Sequence, residues 1–181
     1  CHNIDELQQK AFAVLQHYQQ LLIEEYITGR EVTVLVAADA KDEKKCKVFQ
    51  PIEFIFPEER TFKTYALKTS ELHPESNIPV TDLSIKQQLT EAAQRIFRSF
   101  GGVGYARMDF RMNDAGKLFF LEVNFTCSVF YTDGYEGSAD YILKYDGIGQ
   151  AGFLQHMIRE GIARHLRMQK NYEVKGNALS G

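Results

Sequence analysis

The chain has little cysteine, no long apolar run and no surplus of positive charge, and each shortage excludes something. Cys1, Cys46 and Cys127 are its only cysteines, odd in number and widely spaced. No Cys-x-x-Cys or His-x-x-x-His spacing occurs, so neither a disulfide framework nor a zinc site is expected. A reducing, cytoplasmic setting is the expectation instead. The formal net charge is −3, which gives nucleic acid no basic surface to bind. Apolar runs fall far short of a membrane span, and the N-terminus lacks a basic-then-apolar leader, so no membrane partner is expected. What remains is ordinary globular composition: 181 residues, 44% hydrophobic and 25% charged, enough to bury a sizeable core. The chain opens without methionine and closes on LSG, so an excerpt of a longer protein is expected.

The densest pattern is GYARMDFRMNDAGKLFFLEVN, residues 104–124. Residues 105–112 alternate as a half-buried strand, Asn113-Asp114-Ala115-Gly116 is turn chemistry, and 117–123 is a second apolar run. In such a hairpin Arg107 and Asp109 share one face of the first strand, and Glu122 and Asn124 share one face of the second. Both pairs sit at the end away from the turn. Asp, Glu and Asn are hard oxygen donors suited to Mg²⁺, and arginine supplies a planar fork for phosphate or carboxylate. A surface ladder of cross-strand charges would use the same residues. Apolar Met108, Phe110, Leu121 and Val123 argue that both strands are covered by protein, where acids need partners.

R-M-D-F followed by F-F-L-E-V-N resembles the metal-binding end of ATP-grasp enzymes, in particular the D-alanine–D-alanine ligase group. That resemblance implies that Asp109, Glu122 and Asn124 bind magnesium ions bridging ATP phosphates. It implies that Arg107 stabilises the reacting phosphoryl and acyl groups. A second stretch, LIEEYITGRE at 22–31, resembles the hinge that holds adenosine in the same proteins. There Glu24 would face the adenine amino group, Glu25 and Ile27 would offer backbone contacts, and Glu31 would accept from the ribose hydroxyls. Leu121 completes the implied nucleotide-binding set. As plain sequence, Glu24, Glu25 and Glu31 would also serve as edge or solvent-face acids. Residues 60–79 form a loop candidate that resembles the ligase loop over the ATP phosphates, with Lys68 the best match for its lysine and Lys63 the runner-up. His73 in that loop receives no role.

Taken in order, 5–18 is predicted helical, with Asp5 as N-cap and Gln8 three residues on. Strands are predicted at 21–27, 32–38 and 48–56, with a charged loop at 39–45 and Pro57 as the stop. Together they suggest a small antiparallel sheet with a helix on one face. Residues 82–100 form a helix capped by Asp82, with Ile85, Leu89, Ala92 or Ala93, Ile96 and Phe100 inward, ended by Gly101-Gly102. After Asn124 the chain departs from the family's T-x-P-G turn: Thr126 is followed by Cys127 and Ser128. This puts the second substrate in doubt. Cys127 reads as a small core residue before it reads as a nucleophile. Residues 149–169 form a final amphipathic helix, with Phe153, Met157 (or Leu154, Ile158), Ile162 and Leu166 inward and Arg159, Arg164 and Arg167 toward solvent. The tail, 171–181, reads as strand-like, with a faint resemblance to the entry strand of SET methyltransferase domains.

The expected fold is α+β, an antiparallel sheet flanked by helices, the C-terminal portion of an ATP-grasp module over 1–170 with a tail or linker at 171–181. The resemblance implies a ligase that joins a carboxylate to an amine with ATP and Mg²⁺ through an acylphosphate. A non-catalytic Mg-ATP-binding or interaction module is the alternative, as is a domain beside a SET methyltransferase. The glycine-rich phosphate loop of full-length relatives does not occur before the hinge. Its donors would come from a missing N-terminal half of the module, or from a second copy of the chain in a homodimer.

Overall fold

A computed structural model describes residues 1–56 and 74–178, with side chains through residue 170. Its centre is strand β1 (Arg30–Ala38), whose residues from Glu31 onward are all buried. The segment REVTVLVAA is rich in β-branched residues, which pack well on a pleated surface, and with protein on both faces it need not alternate in polarity. Antiparallel partners are β2 (Cys46–Val48), β3 (Ile52–Phe54) and β5 (Tyr105–Met112). β4 (Asn77–Pro79) extends the sheet beyond β3, and β6 (Leu118–Asn124) extends it beyond β5, giving the order β4-β3-β1-β5-β6 with β2 also on β1. The predicted 48–56 strand is therefore two strands, because Pro51 has no N–H for a continuous ladder. Of the 60–79 loop, Asn77–Pro79 is strand and Pro74–Ser76 a 3₁₀ turn, while Lys63, Lys68 and His73 lie outside the described residues.

Helix α1 (Ile4–Leu15) is capped by Asn3, whose Oδ1 accepts from Glu6 N, so the cap lies two residues before Asp5. No residue of α1 is buried; it does not supply the helix layer expected of it. That layer is α2 (Leu83–Ser99), capped by Asp82 at Ile85 N. Its Leu89, Ala93 and Phe97 meet Val32, Val34, Val36, Ala106, Met108 and Phe110 from the sheet. Phe97 takes the inward place expected of Phe100, which is 60% exposed. Helix α3 (Ser138–Asp146), which sequence patterning did not single out, joins α4 (Gly149–Ala178) on the other face. Ala139, Tyr141, Ile142, Leu143 and Phe153 pack there on Leu35, Ala37, Phe49 and Ile52. Ile162 and Leu166 are exposed rather than inward, and Arg167 turns to the β1–β2 loop, donating to Ala40 O. The strand-like reading of the tail also gives way, since α4 continues to Ala178.

The two helical layers do not cover the sheet equally. Odd-numbered residues of β1 and β5 share the face that α3 and α4 cover near Leu35, Ala37 and Tyr105. Toward the other end of that face lie Glu31, Thr33, Asp109 and Arg111, a polar row on two central strands. A sheet interior seldom carries four such residues without a purpose for them.

Candidate functional site

β5 pairs with β6 through the turn at Asn113–Gly116, where Gly116 adopts φ 75°. The register sets Asp109 opposite Glu122 and Arg107 opposite Asn124. Strict alternation would not have done this. Phe120 opposes the core residue Phe110, and two residues later Glu122 would point into the same core. A β-bulge between these pairs leaves Leu121 as the extra residue and turns Glu122 and Asn124 onto the face of Asp109 and Arg107. Leu121 itself is 47% exposed, so it does not cover the strand as its apolar character suggested.

On that face the side chains are tied together. Arg107 Nη2 donates to Asp109 Oδ2 at 3.0 Å and lies 3.7 Å from Glu122 Oε1. Thr33 Oγ1 donates to Asp109 Oδ1 at 2.9 Å. Asp109 is thus held from both sides, by a neutral donor on β1 and a cation on its own strand. Asn124 Oδ1 accepts from Thr126 N at 2.9 Å, which closes a tight turn straight after the strand. The donor set is two carboxylates and an amide oxygen, hard ligands that suit Mg²⁺ and balance its charge. Arg107 Nε is buried with no hydrogen-bond partner among the described residues, which marks a donor in want of an anionic acceptor. Residues and chemistry fit a divalent ion accompanied by phosphate. Among the described residues no group of three or more His, Cys, Asp or Glu could hold a metal ion alone, so such an ion would need oxygens from its ligand as well.

One rung along, the hinge differs from expectation. Residues 21–27 form no strand, and Glu24 and Glu25 are exposed while Ile27 is half-buried. This leaves the segment outside the sheet's ladders. Glu31 shares the face of Asp109 but is only 8% exposed, and Arg111 Nη1 donates to its Oε2 at 3.3 Å. The same guanidinium donates to Gly29 O at 2.9 Å and Tyr26 OH at 3.2 Å, and lies 4.9 Å from the Tyr26 ring centroid. Thr33 and Arg111 were missed by the sequence reading. The signal was available, because R-x-D-x-R over 107–111 and E-x-T over 31–33 each keep one parity.

Cys127 is buried beside Leu35 and Phe153, and burial pushes its thiol above the ordinary range. A neutral, enclosed thiol is a core group and not a nucleophile. Tyr105 OH donates to its carbonyl at 3.0 Å. A cavity of about 530 Å³ lined by Asp39, Arg98, Glu160 and Arg167 shares no residue with the polar row.

A family model described as "D-ala D-ala ligase C-terminus" matches residues 1–131. The chain belongs to the D-alanine–D-alanine ligase C-terminal family. It is 30% identical over 123 residues to a D-alanine–D-alanine ligase of Aquifex aeolicus, covering 67% of this chain and 38% of that enzyme. It is 29% identical over 175 residues to a D-alanine–D-alanine ligase A of Mesorhizobium japonicum, covering 91% and 45%. The fold matches the D-alanine–D-alanine ligase of Coxiella burnetii with a TM-score of 0.65 at 20% identity, covering 95% of this chain and 42% of that one. It matches a Bacillus anthracis D-alanine–D-alanine ligase complexed with ATP at 0.64 and 21%, covering 93% and 49%. The α+β ATP-grasp architecture is therefore that of this ligase family, and the chain spans less than half the length of these relatives. No described helix is long and apolar enough to cross a membrane.

Proposed function

We propose that the chain is the C-terminal, nucleotide-binding portion of an ATP-grasp ligase that joins a carboxylate to an amine through an acylphosphate. The observation that supports this most is the bulge at Leu121, which brings Glu122 and Asn124 to the face of Asp109 and Arg107. Bulges cluster next to active sites as well as at sheet edges, and this one re-aims two polar side chains onto the face of Asp109 and Arg107. Asp109, Glu122 and Asn124 would hold Mg²⁺, which supplies charge neutralisation on phosphate oxygens when bound. Arg107 binds the transferring phosphoryl group with its fork, and Thr33 holds Asp109 in place. Glu31, once turned from Arg111, accepts from ribose hydroxyls; the backbone of Glu25 to Ile27, which lies outside the sheet's ladders, would offer contacts to an adenine edge, with Glu24 facing its amino group and Leu121 completing the set. Lys68, which lies outside the described residues, would supply a cation to the phosphates. Catalysis of this kind is positioning and electrostatic stabilisation, and it needs no protein nucleophile, in keeping with the enclosed Cys127.

The remaining donors would come from the N-terminal half of the module, or from a second copy in a homodimer. Residues 1–170 would form the module and 171–181 a tail or a linker to a further domain. The free cysteines, Cys1, Cys46 and Cys127, are in keeping with the reducing cytoplasm. The test is Mn²⁺ binding, monitored by electron paramagnetic resonance, in the wild type and Asp109→Asn. Loss of about tenfold or more in affinity is expected, since a charged ligand is replaced by a neutral one; unchanged binding would remove the site. A second reading, a module that binds Mg-ATP or a partner without turnover, is favoured by Cys127 and Ser128 standing where the family has Pro-Gly.

A further inference from the structure

Arg107 is engaged in an unusual way for an arginine beside two acids. One nitrogen, Nη2, serves both Asp109 Oδ2 at 3.0 Å and Glu122 Oε1 at 3.7 Å. The paired geometry for which a guanidinium is suited, two parallel N–H bonds to one acceptor group, is not used. Nε is buried without an acceptor among the described residues. The side chain is thus held through one nitrogen, by a hydrogen bond to Asp109 and a longer ion pair with Glu122, over the carboxylates that a divalent ion would need. Two cations within a few ångströms of one carboxylate repel each other strongly in a partly buried setting. An ion arriving alone must therefore drive Arg107 off Asp109 with nothing to receive it. An ion arriving with a polyphosphate brings acceptors for the displaced fork, Nε included.

We propose that Arg107 is a place-holding cation that balances Asp109 and Glu122 when no ligand is bound, so that the site takes metal–polyphosphate complexes in preference to free metal ions. The inference rests on the metal-site reading above and adds a selection rule to it. Arg107 becomes a specificity determinant for the form in which the metal enters, in addition to its contact with phosphate.

The experiment compares Mn²⁺ alone with Mn²⁺–tripolyphosphate, by electron paramagnetic resonance and water-proton relaxation. It uses the 181-residue chain as wild type, Arg107→Gln, Arg107→Lys and Asp109→Asn. Arg107→Gln should bind free Mn²⁺ about tenfold more tightly than the wild type, because the competing charge is gone. The wild type should prefer the tripolyphosphate complex, and Arg107→Gln should lose that preference. Arg107→Lys, which keeps the charge, should stay within about threefold of the wild type for free Mn²⁺. Should the glutamine variant fail to fold by circular dichroism, Arg107→Met supplies the same neutral charge with a comparable apolar stem. Free-Mn²⁺ affinity unchanged or weakened in the neutral variant, with binding still lost in Asp109→Asn, would overturn the place-holding role and leave the metal site standing. Binding that Asp109→Asn does not alter, or no binding in any variant, would overturn the metal site and this inference with it.

Discussion

Cys127 lies just beyond the β5–β6 hairpin, packed with residues of helices α3 and α4 and against Leu35. Burial raises its thiol above the ordinary range, so the folded state holds the proton more tightly than the unfolded chain. Stability from enclosing the neutral thiol is then fully present below the unfolded value, about 8.5, and is lost as pH rises through the higher folded value. The urea midpoint of the wild type should fall between about pH 8 and pH 10 by more than that of Cys127→Ala. Equal falls would show that the thiol carries no part of the alkaline loss. Side chains like this one were readable in kind, since a free cysteine between apolar residues is most often core. Glu31 and Arg111 were not readable as a pair. Their sequence separation hides a contact that exists only because β1 and β5 are neighbours with Glu31 opposite Arg111.

Gly29 shows the same limit at the scale of an element. It ends the hinge, precedes β1 and adopts φ 122°, a backbone conformation that side chains with a Cβ rarely take. A Cβ there would lie 2.1 Å from Met112 O on β5, a backbone atom that has no room to give. Its carbonyl also accepts from Arg111. Gly29→Ala should therefore cost about 1–3 kcal/mol, the range for a residue forced into a sparsely populated conformation, and shift the urea midpoint accordingly. A change under about 0.5 kcal/mol, typical of surface substitutions, would mean that the turn reorganises freely. In sequence, Thr28-Gly29 reads as a strand end, and that much was legible. Helix α2 was legible from cap to glycine stop because its periodicity runs over four turns. The 21–27 segment was misread because a short apolar run suits strand and exposed chain alike. The bulge was visible only as a flaw in alternation, the unbroken apolar run Leu118-Phe119-Phe120-Leu121. Helix α3 escaped because its start is carried by Asp140, three residues inside, which accepts from Gly137 N at 3.1 Å and Phe130 N at 2.8 Å.

At the scale of the whole molecule, two packed layers sit on one sheet, and the polar row lies at the margin of one of them. The cores hold themselves: α2 covers one face and α3 with α4 the other, while α1 buries nothing and Phe12, Tyr18, Leu22 and Ile23 remain exposed. The chain should therefore fold by itself as a cooperative unit. The site is less complete than the fold. The Glu122 side chain is 59% exposed, and Leu22 to Tyr26 of the preceding segment are exposed as well. The chain spans 38% of one ligase relative and 45% of another, so under the proposed function a nucleotide at this face would meet only part of its contacts. Losing even two charge-assisted hydrogen bonds, at about 1.5–3 kcal/mol each, weakens binding by roughly 10²- to 10⁴-fold. Calorimetry on the 181-residue chain should accordingly give weak ATP binding that vanishes when magnesium is withheld, and no ADP should be released with any carboxylate and amine offered. Tight ATP binding without magnesium would show that Asp109, Glu122 and Asn124 are not what receives the phosphates. Sustained ADP release by the chain alone would show that the missing donors come from a second copy, and the dependence of the rate on protein concentration would then reveal the order of that assembly.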